Sequence, residues 1–149
     1  MPNIREGTAQ DTPGLARLRA KWAAEQDPAL TEDPDFERTY LQWAQTNPRK
    51  HFVAELDGKL IGMLNLMIFE RMPKPGKAST HWVYVGNVYV LPAFRNAGLG
   101  GELMQASIRF SEAIGAARMV LSPSVQARSF YKRLGFEPAQ ELNVLHLQG

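Results

Sequence analysis

Cysteine is absent from this chain. Its absence excludes a disulfide framework, a thiolate metal site and any mechanism built on a cysteine nucleophile. Long apolar runs are lacking too. No stretch approaches the ~20 residues needed to cross a bilayer, and the opening Met1-Pro2-Asn3-Ile4-Arg5-Glu6 has no apolar signal-peptide core. Nor does one sign of charge dominate: 17 basic residues stand against 15 acidic ones, for a formal net charge of +2, and like charges never run five together. Nucleic-acid binding draws on a concentrated basic face. The nearest approach to one here is Arg128, Lys132 and Arg133, enough for a single small phosphorylated ligand. Repeats, linkers and low-complexity tracts are missing as well, so the 149 residues read as one domain (1–149) around one core. These absences predict a cytoplasmic enzyme or binding module with no metal site and no nucleic-acid or membrane partner.

What is present is a clear succession of elements. Ile4 to Thr8 reads as a short strand, and Thr8 with Asp11 resembles a capping box. Leu15, Leu18 and Trp22 fall on one helical face, in a helix ending near Gln26. Asp33-Pro34 is a start signal for a second helix carrying Phe36, Tyr40 and Trp43 on one stripe. His51 to Leu56, Asp57-Gly58 and Lys59 to Phe69 form a hairpin pattern, because Asp-Gly supplies the positive φ angles of a type I′ turn. The prolines and glycine between Glu70 and Thr80 make a loop, and His81 to Val90 is a strand. A helix follows from Gly98, burying Leu99, Leu103, Ala106, Phe110 and Ile114 and closed by Gly115. Then come a short strand (Arg118 to Leu121), a helix from Val125 to Leu134, and a tail from Phe136 to Leu147 with one or two strands. The fold class is α/β (α+β), antiparallel in its first half, with a β-α-β unit in the second.

The segment from Val88 to Gly101 carries the chemistry. A strand (Val88, Tyr89, Val90) runs through a tight turn into Arg95, Asn96, Ala97, Gly98, Leu99, Gly100 and Gly101 at a helix start. The first turn of a helix offers unpaired N–H groups and the positive end of its dipole. Glycines remove the Cβ atoms that would block a phosphate, and Arg95 adds a fixed positive charge. Such glycines serve close helix–strand packing equally well. A dinucleotide fold fits poorly, since its glycines follow the first strand of a repeating array with an acid ~20 positions on.

Arg95-x-x-Gly98-x-Gly100 after an apolar strand resembles the R/Q-x-x-G-x-G/A motif of the GNAT superfamily of acyl-CoA-dependent N-acyltransferases. A second stretch, Ala127 to Glu137 with Tyr131 and Gly135-Phe136, is similar to that family's other signature. The two lie in the family's order, and the string of elements matches its fold over essentially the whole chain. The resemblance implies a central mixed, mostly antiparallel sheet with two splayed parallel strands, flanked by about four helices. It implies acetyl-CoA as cosubstrate: pantetheine on the backbone of Val88, Tyr89 and Val90, pyrophosphate on the N–H groups from Asn96 to Gly101, with Arg95 alongside. It gives Tyr131 the role of general acid toward the departing thiolate, a step that suits a phenol of pKa ~10. Ser124 matches the position of a cofactor-contacting asparagine; a residue after Pro123 and before Val125 is equally a helix cap.

A general base is not singled out. Relatives carry a Glu on the first splayed strand, but His81 to Val90 contains no carboxylate, and Asn87 cannot act as a base. His81, Glu70 and Glu25 are candidates, as is a water chain with no dedicated residue. The acceptor pocket is expected from Trp22 to Phe36 and the loop Glu70 to Thr80, with Trp22, Phe36, Tyr40, Phe69 and Trp82 giving it aromatic character. Glu25, Asp27, Glu32, Asp33 and Asp35 are placed to attract a cationic amine. The implied function is acetyl transfer to a primary amine of a small molecule or peptide. A non-catalytic acyl-CoA-binding module, or an acetyltransferase for protein N-termini or lysines, are the alternatives, and family habit makes a homodimer an expectation.

Overall fold

The computed structural model describes every residue except Thr31, Glu32 and Gly149, so the expectation for Glu32 lies outside the described residues. Among the described residues five strands and four α-helices follow one another: β1 (Asn3–Glu6), α1 (Thr12–Gln26), α2 (Phe36–Thr46), β2 (Lys50–Leu56), β3 (Lys59–Glu70), β4 (His81–Val90), α3 (Leu99–Ala113), β5 (Ala116–Val120) and α4 (Arg128–Arg133). The strands form one sheet in the order β1-β2-β3-β4-β5. Its first four strands are antiparallel, and β4 and β5 are parallel.

Each local signal has a physical counterpart. Asp57 (φ 51°) and Gly58 (φ 77°) both take the left-handed conformation that lets β2 turn directly into β3. Thr8 and Asp11 do work together: the Thr8 N–H donates to the Asp11 carboxylate at 2.7 Å. That carboxylate also takes two hydrogen bonds from Arg5, both at 2.8 Å, which holds β1 to the start of α1. Leu15 and Leu18 are buried and Trp22 packs beside them. The start of α2 falls later than the sequence suggests. Asp33 accepts from the Asp35 N–H at 2.9 Å, closing a turn of its own, and Asp35 becomes the residue before the helix. Phe36, Tyr40 and Trp43 nonetheless share a stripe, with ring centroids 6.1 and 5.7 Å apart.

The sheet separates two apolar layers. On one side α3 and α4 cover Phe52, Ala54, Leu64, Leu66, Val83 and Val85. On the other, α1 covers Val53, Leu60, Met63 and Tyr89. The buried stripe of α3 is wider than expected: Leu99 and Leu103 lie in it, but so do Met104, Ser107 and Ser111, while Ala106, Phe110 and Ile114 are partly exposed. The two serines are tolerated because each hydroxyl donates to a helix carbonyl at 2.8 Å.

Two expectations fail in the last third. The helix expected from Val125 begins only at Arg128, because Ser124 to Ala127 forms a separate turn. The tail expected to hold strands has none. Phe136 still packs on the core, but Leu142, Val144, Leu145 and Leu147 are all more than half exposed. An apolar alternation makes a strand only where a ladder is offered. A side-chain ion pair, Glu141 to Arg118 at 3.1 Å, ties the tail to β5.

Candidate active site

Strand β4 is where the sheet opens. It pairs with β5 only from His81 to Tyr84, so Val85 to Val90 have no strand on that side. The pairing with β3 is also interrupted. Met63 faces Tyr89 and Asn65 faces Gly86, leaving Leu64 opposite both Asn87 and Val88. Asn87 sits at φ 57°, a left-handed conformation asparagine tolerates. This β-bulge adds one residue and extra twist, and the strand diverges from β5 just beyond it. It also resets the alternation: Val83 and Val85 before it, and Val88 and Val90 after it, all face the α3 layer, whereas Tyr89 faces α1.

Beyond β4 the chain turns through Pro92–Phe94 and reaches α3 with two positive φ angles, 65° at Asn96 and 84° at Gly98. Gly98 precedes the first turn of α3, whose amides have no acceptor within the helix. A Cβ added at Gly98 or at Gly101 would meet nothing within 4 Å, so the backbone there faces open space. A Cβ at Gly100 would lie 3.6 Å from the Phe130 ring, which makes Gly100 a packing glycine between α3 and α4. Leu99 points into the core and Ala97 lies in the connecting turn. An open groove of about 850 Å³ starts at Gly98 and Gly101 and runs along α3 past Gln105 and Arg109. Tyr131 does not line it. The cradle and the open edge of β4 fit a ligand with a diphosphate and a chain of amides, as acetyl-CoA has.

Arg95 is not directed as its motif position suggested. Its Nε donates to the Val90 carbonyl at 2.8 Å, and Nη2 donates to both carboxylate oxygens of Glu25 at 2.9 and 3.1 Å. The Tyr89 hydroxyl donates to the same carboxylate. Glu25 is thus the partner that the sequence reading missed. It follows Leu18 and Trp22 at helical spacing, and a carboxylate continuing an apolar stripe calls for a partner on the sheet. Tyr89's hydrogen bond holds Glu25 below the usual carboxylate range, aided by Arg95. Burial, with the Glu25 contact, pushes the Tyr89 phenol up to about 12.

Tyr131 lies on α4 between Phe130 and Phe136, with ring centroids 5.0 and 5.9 Å away and near-perpendicular planes. Burial raises its pKa, and its hydroxyl makes no hydrogen bond among the described residues. The Ser124 hydroxyl accepts from the Ala127 N–H at 3.2 Å and so caps the turn before α4. Tyr84, the last residue of β4 paired with β5, reaches across to Ser122 at 3.4 Å.

The remaining candidates are dispersed. His81 pairs with Glu70 at the closed end of β4, and Phe69 pairs with Trp82 beside them. Trp22, Tyr40 and Tyr89 gather at the other end. Six strand positions separate Met63 from Phe69, roughly 20 Å at ~3.4 Å per residue. Of the three side-chain base candidates only Glu25 stands by the open half of β4.

A family model, the acetyltransferase (GNAT) family, matches residues 16–136. A glucosamine 6-phosphate N-acetyltransferase of Trypanosoma brucei brucei is 32% identical over 58% of this chain and 57% of its own length. An N-alpha-acetyltransferase of Sulfurisphaera tokodaii is 30% identical over 66% of this chain and 62% of its own. The chain thus spans less than two thirds of either relative. Among solved structures, a predicted acetyltransferase of Clostridium acetobutylicum crystallised with acetyl-CoA superimposes with a TM-score of 0.78 at 18% identity, covering 98% of this chain and 96% of that one. With the open β4 edge, the glycine cradle and this match over most of its length, the chain belongs to the GNAT acetyltransferase family.

Proposed function

We propose that this protein is an acyl-CoA-dependent N-acetyltransferase that moves an acetyl group from acetyl-CoA to a primary amine by direct attack. The observation that carries the reading is the unpaired half of β4, leading straight into a helix start with open backbone at Gly98 and Gly101. Strand amides without a ladder partner need another one, and a ligand with its own amides supplies it. Anionic oxygens suit the unpaired N–H groups of the first turn of α3. Acetyl-CoA, when bound, supplies an acyl group activated as a thioester.

The chain's own groups divide the remaining work. Val88, Tyr89 and Val90 bind through main-chain atoms. Asn96, Ala97, Gly98, Leu99, Gly100 and Gly101 present amides or leave room for anionic oxygens. Arg95 acts one step back, clamping the β4–α3 turn to α1 through Glu25. Tyr131, kept protonated by burial and with no acceptor for its hydroxyl among the described residues, holds the proton that a leaving thiolate requires. The Glu25 carboxylate is engaged by Tyr89 and Arg95, and the amine's proton passes to water. Ser124 caps the turn before α4 through its hydroxyl oxygen, and its O–H can still donate to the cofactor.

The test is thiol release from acetyl-CoA over a panel of amino sugars, amino acids, diamines and short peptides. Peptides belong on it because of the likeness to an N-alpha-acetyltransferase. Turnover with one class supports the reading. Tight CoA binding without turnover on any amine would replace it with an acyl-CoA-binding module.

A further inference from the structure

Arg19 stands on α1, with its guanidinium over the indole of Trp22, Cζ lying 4.8 Å from the ring centroid. It forms no ion pair among the described residues, and its Nη1 is closed off from solvent without any acceptor. A half-buried guanidinium with a sealed, unanswered donor is costly unless something answers it. The cation–π contact supplies no hydrogen-bond acceptor to the guanidinium N–H groups.

A second guanidinium lies nearby. Arg49 sits 5.2 Å from the Trp43 ring centroid, and Trp43 is 5.7 Å from Tyr40. Both arginines act on the Tyr40 phenol, each opposing the upward push of its burial. Arg49 makes one side-chain hydrogen bond, to the Pro48 carbonyl at 3.1 Å. Glu25, further along α1, is engaged by Tyr89 and Arg95. Among the described residues, two cations beside three aromatic rings thus have no carboxylate paired with them.

The place matters as much as the charge. Trp22 stacks on Tyr89 at 6.0 Å and 24°, so Arg19 is one ring removed from the open half of β4. It lies on the α1 face, away from the α3 cradle. With acetyl-CoA assigned to the α3 cradle under the proposed function, a ligand on the α1 face would be the acceptor.

We propose that Arg19, with Arg49 beside it, is the specificity element of the acceptor site and binds an anionic oxygen group, phosphate or carboxylate, carried by the amine that is acetylated. The inference rests on the N-acetyltransferase reading and sharpens it, from any primary amine to one with an anionic group at its far end. Diamines are disfavoured, since they bring a second ammonium to Arg19.

Matched pairs test it: glucosamine 6-phosphate against glucosamine, and an ω-amino acid against its amide, each assayed with acetyl-CoA. Preference for the anionic member of at least one pair is expected, by about tenfold to a hundredfold in kcat/KM. The pair showing it tells phosphate from carboxylate. Arg19→Gln abolishes the preference by raising KM for the anionic member far more than for the neutral one, and Arg19→Lys keeps part of it; thermal melts verify that both fold. A preference for neutral amines or diamines overturns the proposal, as does an Arg19→Gln variant impaired equally on both members. If nothing turns over, the same pairs are titrated calorimetrically onto the CoA-loaded protein. Binding of the anionic member that Arg19→Gln removes keeps the anchor and discards the transferase reading; binding of neither member overturns the anchor.

Discussion

The Tyr89 hydroxyl donates its hydrogen bond to the Glu25 carboxylate, fastening the open half of β4 to the last turn of α1. Arg95 joins the same carboxylate from the turn that leads to α3. One acidic side chain therefore connects three segments around the proposed cosubstrate site.

If Arg95 works through Glu25, the two residues are not independent. Arg95→Ala and Glu25→Gln should each raise KM for acetyl-CoA, and the double variant should be little worse than either alone, with a coupling of about 0.5–3 kcal/mol. An Arg95 that contacts pyrophosphate directly would instead lose affinity while Glu25→Gln gained it. Initial-rate kinetics on the four proteins decide between these outcomes.

Tyr131→Phe removes the proposed proton and leaves the ring packing on Phe130 and Phe136 intact. Turnover should fall about 10²-fold or more, with acetyl-CoA affinity and melting temperature nearly unchanged. Wild-type turnover would exclude Tyr131 from the chemistry.

At Gly101 stability and binding should part company. An added Cβ meets no atom, and the residue lies within a helix, so Gly101→Ala should stabilise the fold by about 0.5–1 kcal/mol. The same methyl group fills space kept open for anionic oxygens, so KM for acetyl-CoA should rise. A melt and a titration on one variant check both halves.

The Asp11 carboxylate lies below its ordinary pKa chiefly because Arg5 hydrogen-bonds to it. A carboxylate with a folded pKa below its unfolded one stabilises the protein above the unfolded value, ~3.9, and ceases to do so as pH falls through the folded value. Asp11→Asn should therefore cost about 1–3 kcal/mol at neutral pH, and the difference from wild type should shrink in acid. Denaturant unfolding across pH 2 to pH 7, about the range where carboxylates titrate, measures it.

Much of this architecture was readable from sequence because the cues were local. Asp57-Gly58 fixed a turn through backbone angles, and Leu15, Leu18 and Trp22 marked a buried face by spacing alone. Gly98 to Gly101 marked a helix start. What escaped depended on partners distant in the chain. Nothing near Asn87 announces a bulge, since its cause is the pairing with β3. The apolar tail looked like a strand because its residues favour one, yet no ladder receives it. Asp33 had the right residue type for a helix start and lost the role to Asp35. Arg95 and Glu25, 70 residues apart, were noted singly, and their union appears only in three dimensions.

The bulge at Asn87 makes chain length matter more than residue identity in the middle of β4. The strand is two short segments of opposite phase spliced at one position, and both place their valines under α3 only while the splice holds one extra residue. A glycine at 87 would keep the count and the backbone angle. Deleting the residue would restore simple alternation, turning either Val83 and Val85 or Val88 and Val90 away from the core and closing the gap that the ligand is proposed to enter. Within this strand, a shift of reading by one residue is a far larger perturbation than any single exchange of side chain.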